Sequence, residues 1–308
     1  MKLQALIDIA EYYGKLYRIQ YGASKTKITV SGSNVDIEYY SDTKPWNMNG
    51  KPIDVVENND HLGQIISGTR QEDKNVNLRI KKARNSLFAL LGPAFSFKCL
   101  LSPILKLHLY RTFVCPVLRS GLSSFVLKNT TLYPLSVFQR KTLRGVLKLS
   151  KQSSTPALHF LTGELPVEAT IHRDVFSLLY SIWCNPKTKI YEIVNYLFSH
   201  VSENSKTWSN FVKLLSKQYG LEDPVYIFRK YPPEKSKFKN DVLIRIRSFH
   251  EAELRKHASD GEKLKYFNVS ILGLSGRCHP ALSGLITNSN VCKSRYHLKM
   301  LIGDFFLL

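Results

Sequence analysis

From Lys74 to Gly163 the chain runs for ninety residues without an aspartate or a glutamate. Fifteen basic residues lie in that run: Lys74, Arg79, Lys81, Lys82, Arg84, Lys98, Lys106, Arg111, Arg119, Lys128, Arg140, Lys141, Arg144, Lys148 and Lys151. With 24 acids in 308 residues, about seven would fall there at the chain's mean frequency. The run holds fifteen of the net +20 charges (44 − 24). A folded surface of one sign repels itself unless an anion lies against it. A phosphate backbone, whether RNA, DNA or an RNA–DNA hybrid, is the partner this feature predicts.

Apolar residues at helical spacing share the run, and 44% hydrophobic with 11% aromatic content indicates a packed protein and not a basic tail. No apolar stretch reaches the roughly 18 residues a membrane span requires, so no membrane partner is expected. The N-terminus enters an amphipathic helix pattern without a signal-peptide core. Five scattered cysteines do not form a disulfide framework, which predicts a reducing, intracellular setting in nucleus or cytoplasm.

The expected fold class is α+β at the N-terminus followed by mostly α. Leu3, Leu6, Ile7, Ala10 and Tyr13 share a helical face, with Gly14 as the stop. Strands are expected at 17–21, 27–30, 35–40 and 55–56, with Asn49-Gly50 as a turn. Asp73 is a candidate cap for a helix with apolar face Val76, Ile80, Ala83, Leu87, Leu90 and Leu91, ended by Gly92-Pro93. On it, Lys81 and Lys82 point outward, with Arg79 and Arg84 at the margins. Ser102-Pro103 starts a second helix that Pro116 ends or kinks. A third, from about Leu132, carries Arg140, Lys141, Arg144 and Lys148. The stretch 151–156 reads as a loop, 232–237 as a linker, and helices are expected at 167–183, 189–200, 205–219 and 241–257. The predicted units are 1–70, 71–150, 151–235 and 236–308.

Several segments, in order, resemble the reverse transcriptase of LINE-type (non-LTR) retrotransposons. Tyr21-Gly22-Ala23-Ser24-Lys25-Thr26 is similar to motif D, with Gly22 where Asn is usual. His61-Leu62-Gly63 is similar to the motif E turn. Arg79 to Arg84 and the Leu109 to Gly121 run resemble the thumb, and Phe138-Gln139-Arg140-Lys141 and Leu161 to Glu168 continue the series. His279-Pro280-Ala281-Leu282 and the segment 299–305 resemble the region before the family's C-terminal zinc knuckle. The family's catalytic Asp-Asp pair belongs just upstream of Lys2, and the knuckle beyond Leu308. The resemblance therefore implies an internal fragment covering the end of the palm, the thumb and a helical linker, or the product of a truncated element.

It further implies roles for particular residues. Lys25 would lie near the leaving pyrophosphate in an intact enzyme; the alternative is a solvated lysine after a turn. His61, Leu62 and Gly63 would form the primer grip, or else a plain hairpin turn. Arg79, Lys81, Lys82, Arg84, Arg140, Lys141 and Arg144 would meet the template–primer backbone. Two-metal nucleotidyl transfer needs paired carboxylates, and Asp42, Glu57, Asp60, Glu72 and Asp73 are scattered among turns. No cofactor is expected here; magnesium belongs to the intact polymerase only. Cys278, His279, Cys292 and His297 lack the paired spacing of a zinc site, and Cys99, Cys115 and Cys184 read as core. The expected function is template–primer binding without polymerisation by this chain alone, with the missing parts of the same polyprotein as further partners. An autonomous basic helical nucleic-acid-binding protein and a non-functional product of a decayed element stand as alternatives.

Overall fold

Two residue pairs ending in glycine shape the N-terminal part of the computed structural model, which describes residues 2–30, 46–95, 101–202, 205–228, 230–259, 264, 273–274, 276–283, 299–300 and 302. Strands β2 (Asn47–Met48) and β3 (Lys51–Pro52) are joined by Asn49-Gly50, with φ of 51° and 70°. Strands β5 (Asn58–His61) and β6 (Gln64–Ser67) are joined by Leu62-Gly63, with φ of 49° and 75°. Left-handed φ at both central residues defines the hairpin turn that matches strand twist. Asparagine suits the first position; leucine there costs roughly 1 kcal/mol. Strand β1 (Lys27–Ile28) pairs in parallel with β4 (Asp54–Val55). The described strands thus form three separate two-stranded ladders.

Helix α1 (Lys2–Leu16) runs through Gly14. The expected stop instead serves a close approach: a Cβ there would sit 2.7 Å from the Ile19 carbonyl. Ile19 N–H donates to the Gly14 carbonyl at 2.7 Å, and Arg18 takes φ 57°. That reversal replaces the strand expected at 17–21. Of the predicted apolar face only Ile7 is buried, in a small core with Ala23, Met48 and Ile53. Leu6, Ile9, Tyr12, Tyr13, Leu16 and Tyr17 are exposed. The strand expected at 35–40 lies outside the described residues.

Helix α2 (Gln71–Phe95) starts before Asp73, so Glu72 and Asp73 occupy its first turn, where carboxylates favour the helix dipole, and neither is its cap. Its backbone stays helical through Gly92-Pro93, the predicted end.

The chain packs as two units, Met1–Asn75 and Val76–Leu308. The boundaries expected near 150 and 235 fall inside the second, where one buried apolar cluster extends from Val76 to Ile302. In that unit Ser102 caps α3 (Pro103–Leu109), its hydroxyl accepting from Leu105 N–H at 3.2 Å. The backbone remains helical through Pro116 instead of ending there. One turn of π-helix, Tyr110–Val114, precedes α4 (Cys115–Arg119), and Cys115 N–H donates to the Tyr110 carbonyl five residues back. The wider turn accommodates a ring that would clash in a regular helix.

Helix α5 (Asn129–Leu147) comes next, then α6 (Thr155–Thr162), which replaces part of the expected loop. At the centre lies α7 (Val167–Trp183), burying Ala169, Ile171, Val175, Phe176 and Leu179. Around it stand α8 (Lys189–His200), α9 (Trp208–Gln218), α10 (Pro224–Ile227) and α11 (Lys235–Ser259). Helix α11 starts inside the expected linker, packs against α6 and α7, and buries Val242, Ile246, His250 and Leu254. The fold is α+β at the N-terminus and mostly helical beyond it.

Candidate nucleic-acid interface

In the N-terminal unit Lys25 closes a short 3₁₀ turn, Ala23–Lys25, and is exposed. Thr26 locks the turn: its N–H and hydroxyl both donate to the Gly22 carbonyl, at 3.1 and 3.0 Å. A Cβ at Gly22 would meet nothing within 4 Å, so the asparagine usual in the resembled motif would fit.

The β5–β6 hairpin is held close to its turn by Asn75 and at its base by Lys74. Asn75 is fully buried; its amide accepts from Ile65 N–H at 2.9 Å and donates to the Ile65 carbonyl at 2.7 Å. Lys74 Nζ bridges Glu57, Asn58 and Ser67 at 2.7, 2.7 and 2.8 Å. The ammonium holds the Glu57 carboxyl below the usual carboxylate range. The base is fixed, while His61, Leu62 and Gly63 at the tip are exposed, Leu62 by 90%.

The cations expected on α2 divide. Lys81 and Arg84 are exposed, Lys82 is half-buried, and Arg79 is buried, its guanidinium pulled below its ordinary value by desolvation. Arg79 therefore does not lie at an open margin. It belongs to a covered polar stripe, Asn75, Arg79, Lys82 and Ser86, at helical spacing beside the apolar one. On α5, Lys141 is exposed and Arg140 lies over the Tyr133 ring at 5.8 Å. Arg144 donates to the Ser153 carbonyl at 2.7 Å, so part of its guanidinium is committed to the fold. Lys128, ahead of α5, and Lys151 are exposed too, and sequence reasoning did not single them out. Both sit in connections, where no periodicity marks them.

Other members of the acid-free run are neutralised by acids beyond its ends. Arg111 pairs with Glu164, donates to the Thr162 carbonyl at 2.6 Å and approaches Cys278 Sγ at 3.9 Å. Arg119 grips both Asp174 oxygens at 2.6 Å. Gln139 donates to the Leu165 carbonyl at 2.9 Å and accepts from Val167 N–H at 2.8 Å. Gly163, at φ 68°, admits the 276–279 segment: a Cβ would meet the Arg277 carbonyl oxygen at 2.2 Å. Three segments quoted for the resemblance, around Arg111, Gln139 and Glu164, are thus brought together as a structural staple.

Three buried histidines of this unit are neutral at pH 7. His159 Nδ1–H donates to the Glu164 carbonyl at 2.8 Å, and burial lowers the ring to about 4. His172, Tyr219 and His250 form a chain, with Nδ1 of His172 at 2.6 Å and Nε2 of His250 at 3.0 Å from the Tyr219 hydroxyl. Glu253 lies 3.4 Å from Nδ1 of His250. The phenol has one proton and can donate it to only one of the two rings, so the other ring donates to the phenol oxygen. Desolvation lowers His172 to about 3 and His250 to about 4.

Cys115 is half-buried, its thiol raised to about 12 by burial, whereas Cys184, expected in the core, is exposed where α7 ends in a cap. Burial likewise raises the Cys278 thiol and lowers His279. Cys99, Cys292 and His297 lie outside the described residues. Among the described residues no three His, Cys, Asp or Glu side chains gather as metal ligands, and no helix is long and apolar enough to cross a membrane. Comparison with protein-family models, with curated proteins and with solved structures returns no match.

Proposed function

We propose that this chain binds the phosphate backbone of a template–primer duplex as a segment of a LINE-type reverse transcriptase, comprising the end of its palm, its thumb and a helical linker. The observation that carries it is the set of exposed cations without a carboxylate partner among the described residues: Lys81, Arg84, Lys128, Lys141 and Lys151. Lys81, Arg84 and Lys141 project from helices, Lys128 stands just ahead of α5 and Lys151 lies in the connection after it, an arrangement that favours contact with phosphates without reading bases. The exposed apolar face of α1 and the lack of a common sheet among the described strands support a palm remnant over a self-contained domain.

The test is anisotropy titration of the chain with an RNA–DNA template–primer across a salt series. About five phosphate contacts give a slope of log K against log salt near −4. No deoxynucleotide incorporation is expected with any divalent metal. A flat salt dependence, or no binding at low ionic strength, overturns the proposal.

A further inference from the structure

Two cavities in the second unit share a wall, and the backbone contacts proposed for the duplex use neither. One, of about 350 Å³, is lined by Arg119, Arg173, Asp174 and Lys239 beside Phe176 and Phe238. The other, of about 330 Å³, has the same two phenylalanines with Trp183, Lys237 and Tyr231.

The first cavity sets three cations against one carboxylate. Arg119 already holds Asp174 through both oxygens, while Arg173 reaches it only at 3.6 Å. Lys239 is exposed and, among the described residues, has no carboxylate partner. The opening of α11 places Lys235 and Lys237 where helices normally carry acids, with no acid in its first turn. Of these lysines only Lys239 lines the first cavity, and Glu234, just ahead of the helix, accepts from Ser236 Oγ at 2.6 Å, so Arg173 and Lys239 are the cations this cavity offers an anion.

The second cavity is aromatic, and its acids are already neutralised, Glu222 by Lys230 and Asp241 by Arg245. Its rings are held in place. Phe238 stacks on Tyr180 with centroids 5.0 Å apart, and Trp183 Nε1–H donates to the Lys230 carbonyl at 3.0 Å. Tyr231, 98% exposed, stands at the mouth with its ring uncovered.

We propose that the pair forms a subsite for one unpaired nucleotide of a single strand, its phosphate on Arg173 and Lys239 and its base on Tyr231 and the Phe238 wall. The proposal rests on the nucleic-acid reading of the exposed cations and adds a single-stranded element to it. A base stacked and paired within a duplex cannot enter such a cavity, so the subsite selects strand ends or overhangs.

The full chain is titrated with a labelled ten-nucleotide oligouridylate, with an abasic strand of equal length and with a blunt RNA–DNA duplex. The oligouridylate is expected to bind about tenfold tighter than the abasic strand. Tyr231→Ala should abolish that difference. Arg173→Gln with Lys239→Gln should weaken both single strands severalfold and leave the blunt duplex unchanged. All three side chains are partly or wholly exposed, and a thermal melt checks that the variants fold. Uridine monophosphate should compete better than inorganic phosphate. Equal affinity for uridylate and abasic strands overturns the proposal, as does a Tyr231→Ala variant that still discriminates or phosphate competing as well as the nucleotide. If the duplex binds and discrimination is absent, the subsite fails alone; if no nucleic acid binds, both proposals fail.

Discussion

Arg111 and Lys81 come from the same acid-free run and end in opposite situations. Arg111 is joined to Glu164, the first carboxylate past the run, and to the Thr162 carbonyl, and holds segments fifty residues apart. Lys81 projects from α2 with no carboxylate partner among the described residues. Composition treats the two alike; the fold divides them into cations that build the second unit and cations that remain on its surface. The absence of acids within a stretch of sequence is therefore only partly an absence of acids around it in space.

The largest expected effect falls on the building half. Arg111→Ala leaves the Glu164 carboxylate, 12% exposed, without its partner. A loss of about 2–3 kcal/mol is expected in urea denaturation, discounted for the part of Arg111 that faces solvent. The salt slope of duplex binding should not move; if it does, Arg111 belongs with the surface cations.

Next comes acidification, which adds charge inside the same half. His159, His172 and His250 are lowered to about 4, 3 and 4 from an ordinary 6.5. Their unfolded forms bind protons first, so stability is full above about pH 7 and falls as pH drops from 6.5 toward 4. By pH 5 the loss is about 2 kcal/mol per histidine. Arg140 and Arg144 oppose protonation of His159, and the His159 ring opposes protonation of His250. A urea midpoint unchanged between pH 7 and pH 5 would show that these rings are solvated.

Lys81→Gln combined with Arg84→Gln addresses the surface half. Stability should stay within about 0.5 kcal/mol, while duplex affinity at low salt drops about tenfold and the salt slope flattens by about 2. An unchanged slope would place both side chains away from phosphate. The smallest effect is at the hairpin tip. Leu62→Asn, better suited to φ 49°, should stabilise the hairpin by about 0.5–1 kcal/mol. A simultaneous loss of primer affinity would indicate that the leucine contacts the strand.

Much of the helical framework was legible because periodicity and caps are local. The expected spans 167–183 and 189–200 coincide with α7 and α8, Ser102 caps where its spacing to Pro103 predicts, and Asn49-Gly50 makes its turn. What was hidden depends on distant partners. Nothing near Arg79 signals burial, because it stands beside the apolar stripe, where periodicity alone places a solvated cation. Nothing near Arg111 or Arg119 announces Glu164 or Asp174, more than fifty residues away. The π-turn before Pro116 is equally invisible: sequence shows the obstacle and not the expansion that accommodates it. Lys239 and Tyr231 flank the stretch 232–237 that reads as linker until α11 and the aromatic wall are in place.

The buried amide of Asn75 has one more consequence. By taking both the N–H and the carbonyl of Ile65, it seals the outer rim of β6 as a neighbouring strand would. An extended peptide arriving on that side finds its first docking positions filled, so the ladder cannot grow there into a larger sheet or template aggregation. The hairpin's apex and the outer side of β5 stay exposed.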